Sequence, residues 1–122
     1  MSFVLDTCVL VDHLRNVEPY TLFLATLPAA AISTMTWTEL LVGARDAREE
    51  QAIRAFLSAY AVLAIDEAVA EAAVRVRREL GVKLPDAIIL ATARVHGRQL
   101  ATRNTRDFPP ATAGVFVPYT LT

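Results

Sequence analysis

The chain has 122 residues, a hydrophobic content of 54% and a formal net charge of −1 at pH 7. This length suits one domain with its own core, which we assign to residues 1–122, and the hydrophobic content excludes a disordered chain. The one cysteine, Cys8, excludes an internal disulfide framework, so we expect a cytoplasmic protein in which Cys8 is a small buried hydrophobe.

Apolar strand patterns alternate with helix patterns along the chain. In chain order, the predicted elements are a strand at 2–5, helices at 7–15 and 19–27, a strand at 29–33, helices at 36–43 and 47–60, a strand at 61–65, a helix at 66–80, a helix within 81–97 that starts at Pro85, and strands at 98–103 and 114–119. Strands that are continuous apolar runs separated by helices are typical of a buried parallel sheet. The predicted fold class is therefore α/β, with a central parallel β-sheet flanked by α-helices on both faces.

The uncharged stretch 19–38 is long enough to be weighed as a membrane helix. Pro28 interrupts it, five threonines lie along it, and residues 29–33 have the pattern of a buried strand. The opening residues, MSFVLD, lack the basic segment of a secretory signal. We therefore expect neither a membrane span nor a secretory signal.

Charge is distributed unevenly along the chain. Residues 1–80 carry seven Arg against eleven acidic residues, whereas residues 81–122 carry five Lys or Arg against two Asp. Positive charge is thus concentrated in the last third of the sequence, which fits either an anionic partner at this region or ordinary solvated surface.

Four acids occupy positions of interest. Asp6, Glu39 and Asp107 each follow a predicted strand, and Asp86 comes directly after the proline that starts a helix. Each acid also has a structural explanation. Asp6 suits a helix N-cap, and Glu39 has the spacing of a capping box with Thr36. Asp107 suits a turn, and Asp86 suits the positive end of a helix dipole.

A parallel sheet brings such residues together, because its strand-to-helix loops meet at the carboxyl ends of the strands. Two carboxylates at ~4 Å repel by about 1 kcal/mol in water and by about 4 kcal/mol at an effective dielectric constant of about 20. A hard divalent cation offsets this repulsion, and carboxylate oxygens are the ligands that Mg²⁺ and Mn²⁺ prefer. Cys8, His13 and His96 lack the spacing of a zinc site, and the sequence contains neither a glycine-rich phosphate loop nor a serine nucleophile motif. We assign structural roles to both histidines.

Four segments carry a family resemblance. LDTCVLVDHL, TWTELLVGA, KLPDAIILATARVHG and LATRNTRDF resemble, in this order, the successive motifs of PIN-domain ribonucleases, and in particular of VapC-type toxins from toxin–antitoxin pairs. The resemblance covers nearly the whole chain. It implies a PIN-like fold and a Mg²⁺-dependent endoribonuclease, with Mn²⁺ as a substitute cofactor.

The resemblance also implies site residues. Asp6, Glu39 and Asp86 match the three acidic positions of the family, with Asp6 and Asp86 as the direct Mg²⁺ ligands. The fourth position, a further acid in many members, aligns with either Asn104 or Asp107, and the sequence leaves this choice open.

In this interpretation Glu39 orients or deprotonates the attacking water, while Thr102, Arg103 and Arg106 contact the phosphate or the RNA backbone. The implied partners are RNA, a cognate VapB-like antitoxin and a second copy of the chain in a homodimer.

Two alternative functions stay open. One is a non-catalytic PIN-like binding or scaffold domain in which the acids are only caps, and the other is a metal-dependent DNase or phosphatase.

Overall fold

A computed structural model describes residues 2–15 and 30–119. The strands are β1 (Phe3–Leu5), β2 (Ala30–Ser33), β3 (Ala61–Leu63), β4 (Gln99–Ala101) and β5 (Val115–Phe116), and the helices are α1 (Thr7–Leu14), α2 (Thr34–Val42), α3 (Ala47–Leu57), α4 (Glu67–Leu80) and α5 (Leu84–Val95). The helix predicted at 19–27 lies outside the described residues. Within them, no helix combines the length and the apolar character that crossing a membrane requires.

The five strands form one sheet in the order β3-β2-β1-β4-β5, and every neighbouring pair is parallel. Along the chain, β2 and β3 are added in turn on one side of β1. The strands β4 and β5 are then added on the other side of β1. The strand order therefore reverses between β1 and β4. In open parallel sheets, a crevice forms at the carboxyl ends of the strands at this kind of reversal.

Helices cover both faces of the sheet, as predicted. Side chains of β1 alternate between the faces: Val4 packs in a core with α4 and α5, while Phe3 and Leu5 pack in a second core with α1, α2 and α3. The two groups of helices lie on opposite faces because right-handed crossovers change face when the strand order reverses. The predicted α/β fold is confirmed.

The start of α2 corrects the sequence analysis. Ser33 is the N-cap, and its Oγ accepts a hydrogen bond of 3.1 Å from the backbone N–H of Met35. The helix therefore begins two residues earlier than predicted. The capping box of Thr36 with Glu39 is wrong, because Thr36 lies inside the helix and is buried. The structural role predicted for Glu39, as part of a capping box, is therefore absent.

The start of α5 differs in detail. Leu84 is the first residue and Pro85 the second, with Lys83 at the N-cap position and without a side-chain cap. Proline is tolerated in the first turn because N–H groups there have no partner within the helix. Asp86 is the acidic residue of this turn, so the predicted interaction with the helix dipole is present.

Most predicted strands are longer than the observed ones. β3 ends at Leu63, where its pairing with Ser33 of β2 ends, and the apolar residues 64 and 65 lie beyond the sheet. The pattern of apolar residues continues past the last paired residue, so it overestimates strand length. The helix predicted at 47–60 is also shorter and ends at Leu57, followed by Ser58 as its C-cap.

Gly81 ends α4 with a left-handed backbone, and we predict that Gly81→Ala destabilises the protein by about 1 kcal/mol. An added Cβ at this position meets nothing within 4 Å, so the cost comes from the backbone alone. Gly43→Ala is the matched control. Gly43 ends α2 at a φ of −75°, which alanine adopts freely, so we expect a neutral or slightly stabilising effect there. Urea denaturation midpoints test both, and equal losses would contradict the prediction.

Candidate active site

Asp6 and Thr102 meet at the reversal point of the sheet. Asp6 follows β1, and its backbone N–H donates to the carbonyl oxygen of Ala101 at 2.9 Å, which extends the pairing of β1 with β4 by one residue. The hydroxyl of Thr102, the next residue, donates to Oδ2 of Asp6 at 2.7 Å. The backbone N–H of Thr7 donates to Oδ1 at 2.8 Å, so the predicted N-cap role of Asp6 is confirmed.

Asp6 is nevertheless more than a cap. Only 4% of its surface is exposed, and this burial raises its pKa, while the charge of Glu39 adds to the effect. The hydrogen bonds from Thr102 and Thr7 oppose the rise without cancelling it. An exposed cap would carry no such penalty.

Thr7 connects Asp6 with Glu39. While its backbone N–H holds Asp6, its hydroxyl donates to Oε1 of Glu39 at 2.8 Å across from α1 to α2. Glu39 itself is exposed, so its carboxylate is accessible from solvent. Thr7 was not among the site residues predicted from the sequence. Its position directly after Asp6, within LDTCV, was the available signal.

Asp86 belongs to the same electrostatic group. Its pKa is raised to about 6, first by burial and then by the negative charges of Asp6, Asp107 and Glu39, in that order. Lys83 opposes the rise. Three acids from other segments of the chain therefore act on Asp86.

The two candidates for the fourth site position, Asn104 and Asp107, contact each other within the segment 102–107. The side-chain amide of Asn104 donates to Oδ2 of Asp107 at 2.9 Å, and the backbone N–H of Asp107 donates to Oδ1 of Asn104 at 3.3 Å. The predicted turn is present. The charge of Asp107 acts on Asp86, and the amide of Asn104 contacts the Asp107 carboxylate, so the fourth position stays a prediction shared by these two residues.

Two residues predicted to contact phosphate have other partners. Thr102 is fully buried, donates to Asp6 and accepts from the backbone N–H of Asn104 at 3.0 Å, so we revise its role from phosphate contact to positioning of Asp6. Arg103 is ion-paired with Asp12 through Nε and Nη2. Neither role is visible from residue type alone, because both depend on which side chains the fold places opposite.

Cys8 also differs from its prediction as a buried hydrophobe. It is half-buried, and its Sγ lies 3.6 Å from Oδ2 of Asp6 and 3.5 Å from the Thr102 hydroxyl. Burial and the charge of Asp6 raise the pKa of the thiol to about 11. Cys8 is therefore a neutral thiol beside the acids, without the character of a nucleophile.

The four carboxylates fit a hard divalent cation in charge and in donor type. Among residues 2–15 and 30–119, none of the four forms an ion pair with a basic side chain. In the same ranges, no three acidic, His or Cys side chains are close enough to form a complete three-ligand cluster. The close convergence of Asp6, Glu39 and Asp86 expected from the sequence is therefore not found as a three-ligand cluster among these residues. Mg²⁺ commonly takes one or two carboxylates and keeps several waters, so the arrangement still suits it.

The sequence matches known proteins over most of its length. The PIN domain family matches residues 3–111. The Ribonuclease VapC19 of Mycobacterium tuberculosis is 35% identical over 115 residues, which cover 87% of this chain and 91% of that protein. The chain belongs to the PIN domain family. Its similarity to a VapC relative confirms the predicted VapC type.

Solved structures agree with this assignment. The PIN domain superimposes on a chain of a toxin–antitoxin complex from Klebsiella pneumoniae with a TM-score of 0.90 and 40% identity, covering 99% of this chain and 100% of that one. A chain of DNA-bound VapBC from Salmonella typhimurium gives a TM-score of 0.77 and 27% identity, with 94% and 95% covered. The PIN-like fold predicted from the sequence is confirmed.

A cleft of about 660 Å³ adjoins the acids of this PIN domain. It lies between α1, α2 and α3, and its walls are mostly apolar, with Val11, Leu40 and Ile53 among them. Thr7 and Glu39 line it as well, so the cleft is continuous with the acidic group. A ligand in the cleft would therefore contact Glu39.

We predict that Asp86→Asn makes the metal-free PIN domain more stable at about pH 7.5 and leaves its stability unchanged below about pH 4. The folded-state pKa of Asp86 is raised, so the unfolded chain ionises first as the pH rises from 3.8 to about 6. The folded state loses relative stability across this window, and the loss is complete above it. The asparagine side chain does not ionise, so the variant does not lose this stability as the pH rises.

Urea denaturation in EDTA across this pH range provides the measurement. Asp46→Asn is the control, because Asp46 is an exposed N-cap of α3 and asparagine caps equally well. An Asp86→Asn variant that is less stable than wild type at about pH 7.5, or equally affected at every pH, would contradict the prediction.

Proposed function

We propose that this PIN domain is a Mg²⁺-dependent endoribonuclease that acts as the toxin of a VapBC-type pair. The observation that carries the proposal is the buried carboxylate of Asp6 at the reversal point of the sheet, which is held by Thr102 and Thr7 and is joined to Glu39 through the Thr7 hydroxyl. The similarity to a relative named as a ribonuclease supports it. A scaffold domain would have no need for acids whose repulsion opposes folding.

Asp6 and Asp86 are our candidates for direct metal ligands. Bound Mg²⁺ supplies charge stabilisation for the phosphoryl oxygens and lowers the pKa of a coordinated water. Asp6 is held on both oxygens by Thr102 and Thr7, which fixes its orientation before any ligand binds. Asp86 lies on the first turn of a well-packed helix, so its backbone is equally rigid.

Glu39 is our candidate to orient or deprotonate the attacking water. Of the four acids, Glu39 is the most exposed to solvent. The Thr7 hydroxyl donates to one of its carboxylate oxygens. The other oxygen is available to accept a proton from water. Asp107, oriented by Asn104, completes the group as a further carboxylate.

Two basic residues flank the acids and are our candidates for binding the RNA backbone. Arg106 is exposed and precedes Asp107, while Lys83 is exposed and close enough to lower the pKa of Asp86. The sequence analysis named Arg106 but gave Lys83 no role in the site. Together they place positive charge close to Asp86 and Asp107 along the chain, where a polyanion would approach.

We propose a VapB-like antitoxin as the protein partner. Chains similar to this one occur in toxin–antitoxin and VapBC complexes. The apolar cleft beside Glu39 is a surface where an antitoxin segment would block access to the acids. The homodimer expected from the family resemblance stays a prediction.

The proposal predicts RNA cleavage that requires Mg²⁺ or Mn²⁺, stops with EDTA and falls about 100-fold or more in Asp86→Asn. The measurement uses end-labelled RNA, with single-stranded DNA and a simple phosphate monoester as parallel substrates. Asp46→Asn again serves as control, since it removes a carboxylate from an exposed cap outside the acidic group.

Activity that survives EDTA, or full activity in Asp86→Asn, would refute the mechanism. Cleavage of DNA or of the monoester without RNA would favour the DNase or phosphatase alternative. A folded protein that binds no metal and cleaves none of the substrates would favour a scaffold domain.

A further inference from the structure

Asp12 is a second, separate buried acid. It lies on α1 with 1% of its surface exposed and accepts hydrogen bonds from Nε and Nη2 of Arg103, the latter at 2.9 Å. The hydroxyl of Tyr119 donates to its Oδ2 at 2.7 Å. Burial works against ionisation of Asp12, but the hydrogen bonds from Arg103 and Tyr119 outweigh it and hold the pKa below its usual value. Asp12 is therefore an ionised, fully paired carboxylate.

Stability alone gives little reason for a buried ion pair. Desolvation of the two charges offsets most of their attraction, and apolar residues of similar size often replace such pairs without loss. The other ion pairs within the described residues lie on exposed surface, such as Arg54 with Glu50 on α3. What the Asp12 pair does provide is a fixed distance and orientation between two segments of the chain.

Those two segments hold the acidic group. Arg103 lies between Thr102, whose hydroxyl holds Asp6, and Asn104, whose amide holds Asp107. Asp12 lies less than two turns after Asp6 on the same helix. The segment after β4 is thus joined to α1 at two points. Thr102 joins them at the candidate site, and Arg103 joins them further along the helix.

We propose that Asp12 and Arg103 are positioning residues, which fix the segment 102–107 against α1 and so set the placement of Asp6 and Asp107. The inference rests on the proposed function, because it assigns these residues a role in the same site. It also replaces the phosphate contact that the sequence suggested for Arg103. Tyr119 extends the network to the C-terminal segment.

The test compares Arg103→Gln, Arg103→Lys, Asp12→Asn and Tyr119→Phe. Glutamine removes the charge and the paired N–H donors of the planar guanidinium. Lysine keeps the charge but offers a single ammonium group as donor. The double variant Glu50→Gln with Arg54→Gln is the matched control, because it removes an Arg–carboxylate pair on the surface of α3. Rates are expressed per folded molecule, with the folded fraction taken from circular dichroism, so that loss of stability is not counted as loss of activity.

A positioning role predicts that Arg103→Gln and Asp12→Asn lower kcat about 10- to 100-fold while KM for RNA changes by less than about twofold. We expect partial recovery in Arg103→Lys, a smaller loss in Tyr119→Phe and no change in the control. The reverse pattern, in which KM rises and the salt dependence of RNA binding weakens with kcat unchanged, would overturn the proposal in favour of a direct phosphate contact.

A second readout uses the metal-free protein and needs no activity. Amide hydrogen exchange over 102–107 should accelerate in Arg103→Gln and stay unchanged in the control. Unchanged exchange in Arg103→Gln, or lower stability with normal kcat per folded molecule, would refute the positioning role. If wild type instead fails to cleave RNA, the proposed function fails, and the exchange measurement still decides the inference about Arg103.

Discussion

The parallel pairing of β1 with β4 is the interaction on which the rest of the site depends. Because the two strands end in register, with Leu5 opposite Ala101, the residues that follow them emerge side by side. Asp6 and Thr102 are therefore neighbours although 96 positions separate them in the chain, and their hydrogen bond is a direct consequence of the register. Other carboxylates reach this point from α2, from the first turn of α5 and from the turn after β4. A slip of one residue in the β1–β4 pairing would turn Asp6 and Thr102 toward different faces.

The site is held together by neutral donors while its charges oppose one another. Hydroxyl and amide groups of Thr7, Thr102 and Asn104 fix three of the four acids, and they supply geometry without supplying a compensating positive charge. The result is a group with raised pKa values at Asp6 and Asp86, which costs stability in the metal-free state. Lys83 lowers the pKa of Asp86 without cancelling the rise, and sites that retain such a cost are commonly functional. In the described residues Arg103 is close by, yet its charge is directed to Asp12.

The sequence predicted the fold class and the order of the described elements, because these follow from apolar periodicity, and the positions of charges after strands made the four acids candidates. It could not choose between Asn104 and Asp107, since they are three residues apart in one turn, and the fold brings their side chains into contact with each other. The predicted capping box of Thr36 had the correct spacing, but Ser33 lies at the strand end and caps the helix first. Strand lengths were overestimated because pairing with the neighbouring strand, and not apolar character, determines where a short strand ends.

The roles of Asp12 and Arg103 show why residue type is a weak guide to a nucleic-acid contact. An arginine beside an acidic site in a basic part of the sequence suggests phosphate binding, and the fold is needed to show that a buried carboxylate already occupies its planar fork. Lys83 and Arg106, unlike Arg103, have no carboxylate in ion-pair reach among the described residues. Of the three basic residues near the acids, Arg103 is thus paired inside the protein, whereas Lys83 and Arg106 face solvent. Electrostatic attraction of a polyanion requires charges of the second kind, because a charge neutralised by a buried partner contributes little to the external field.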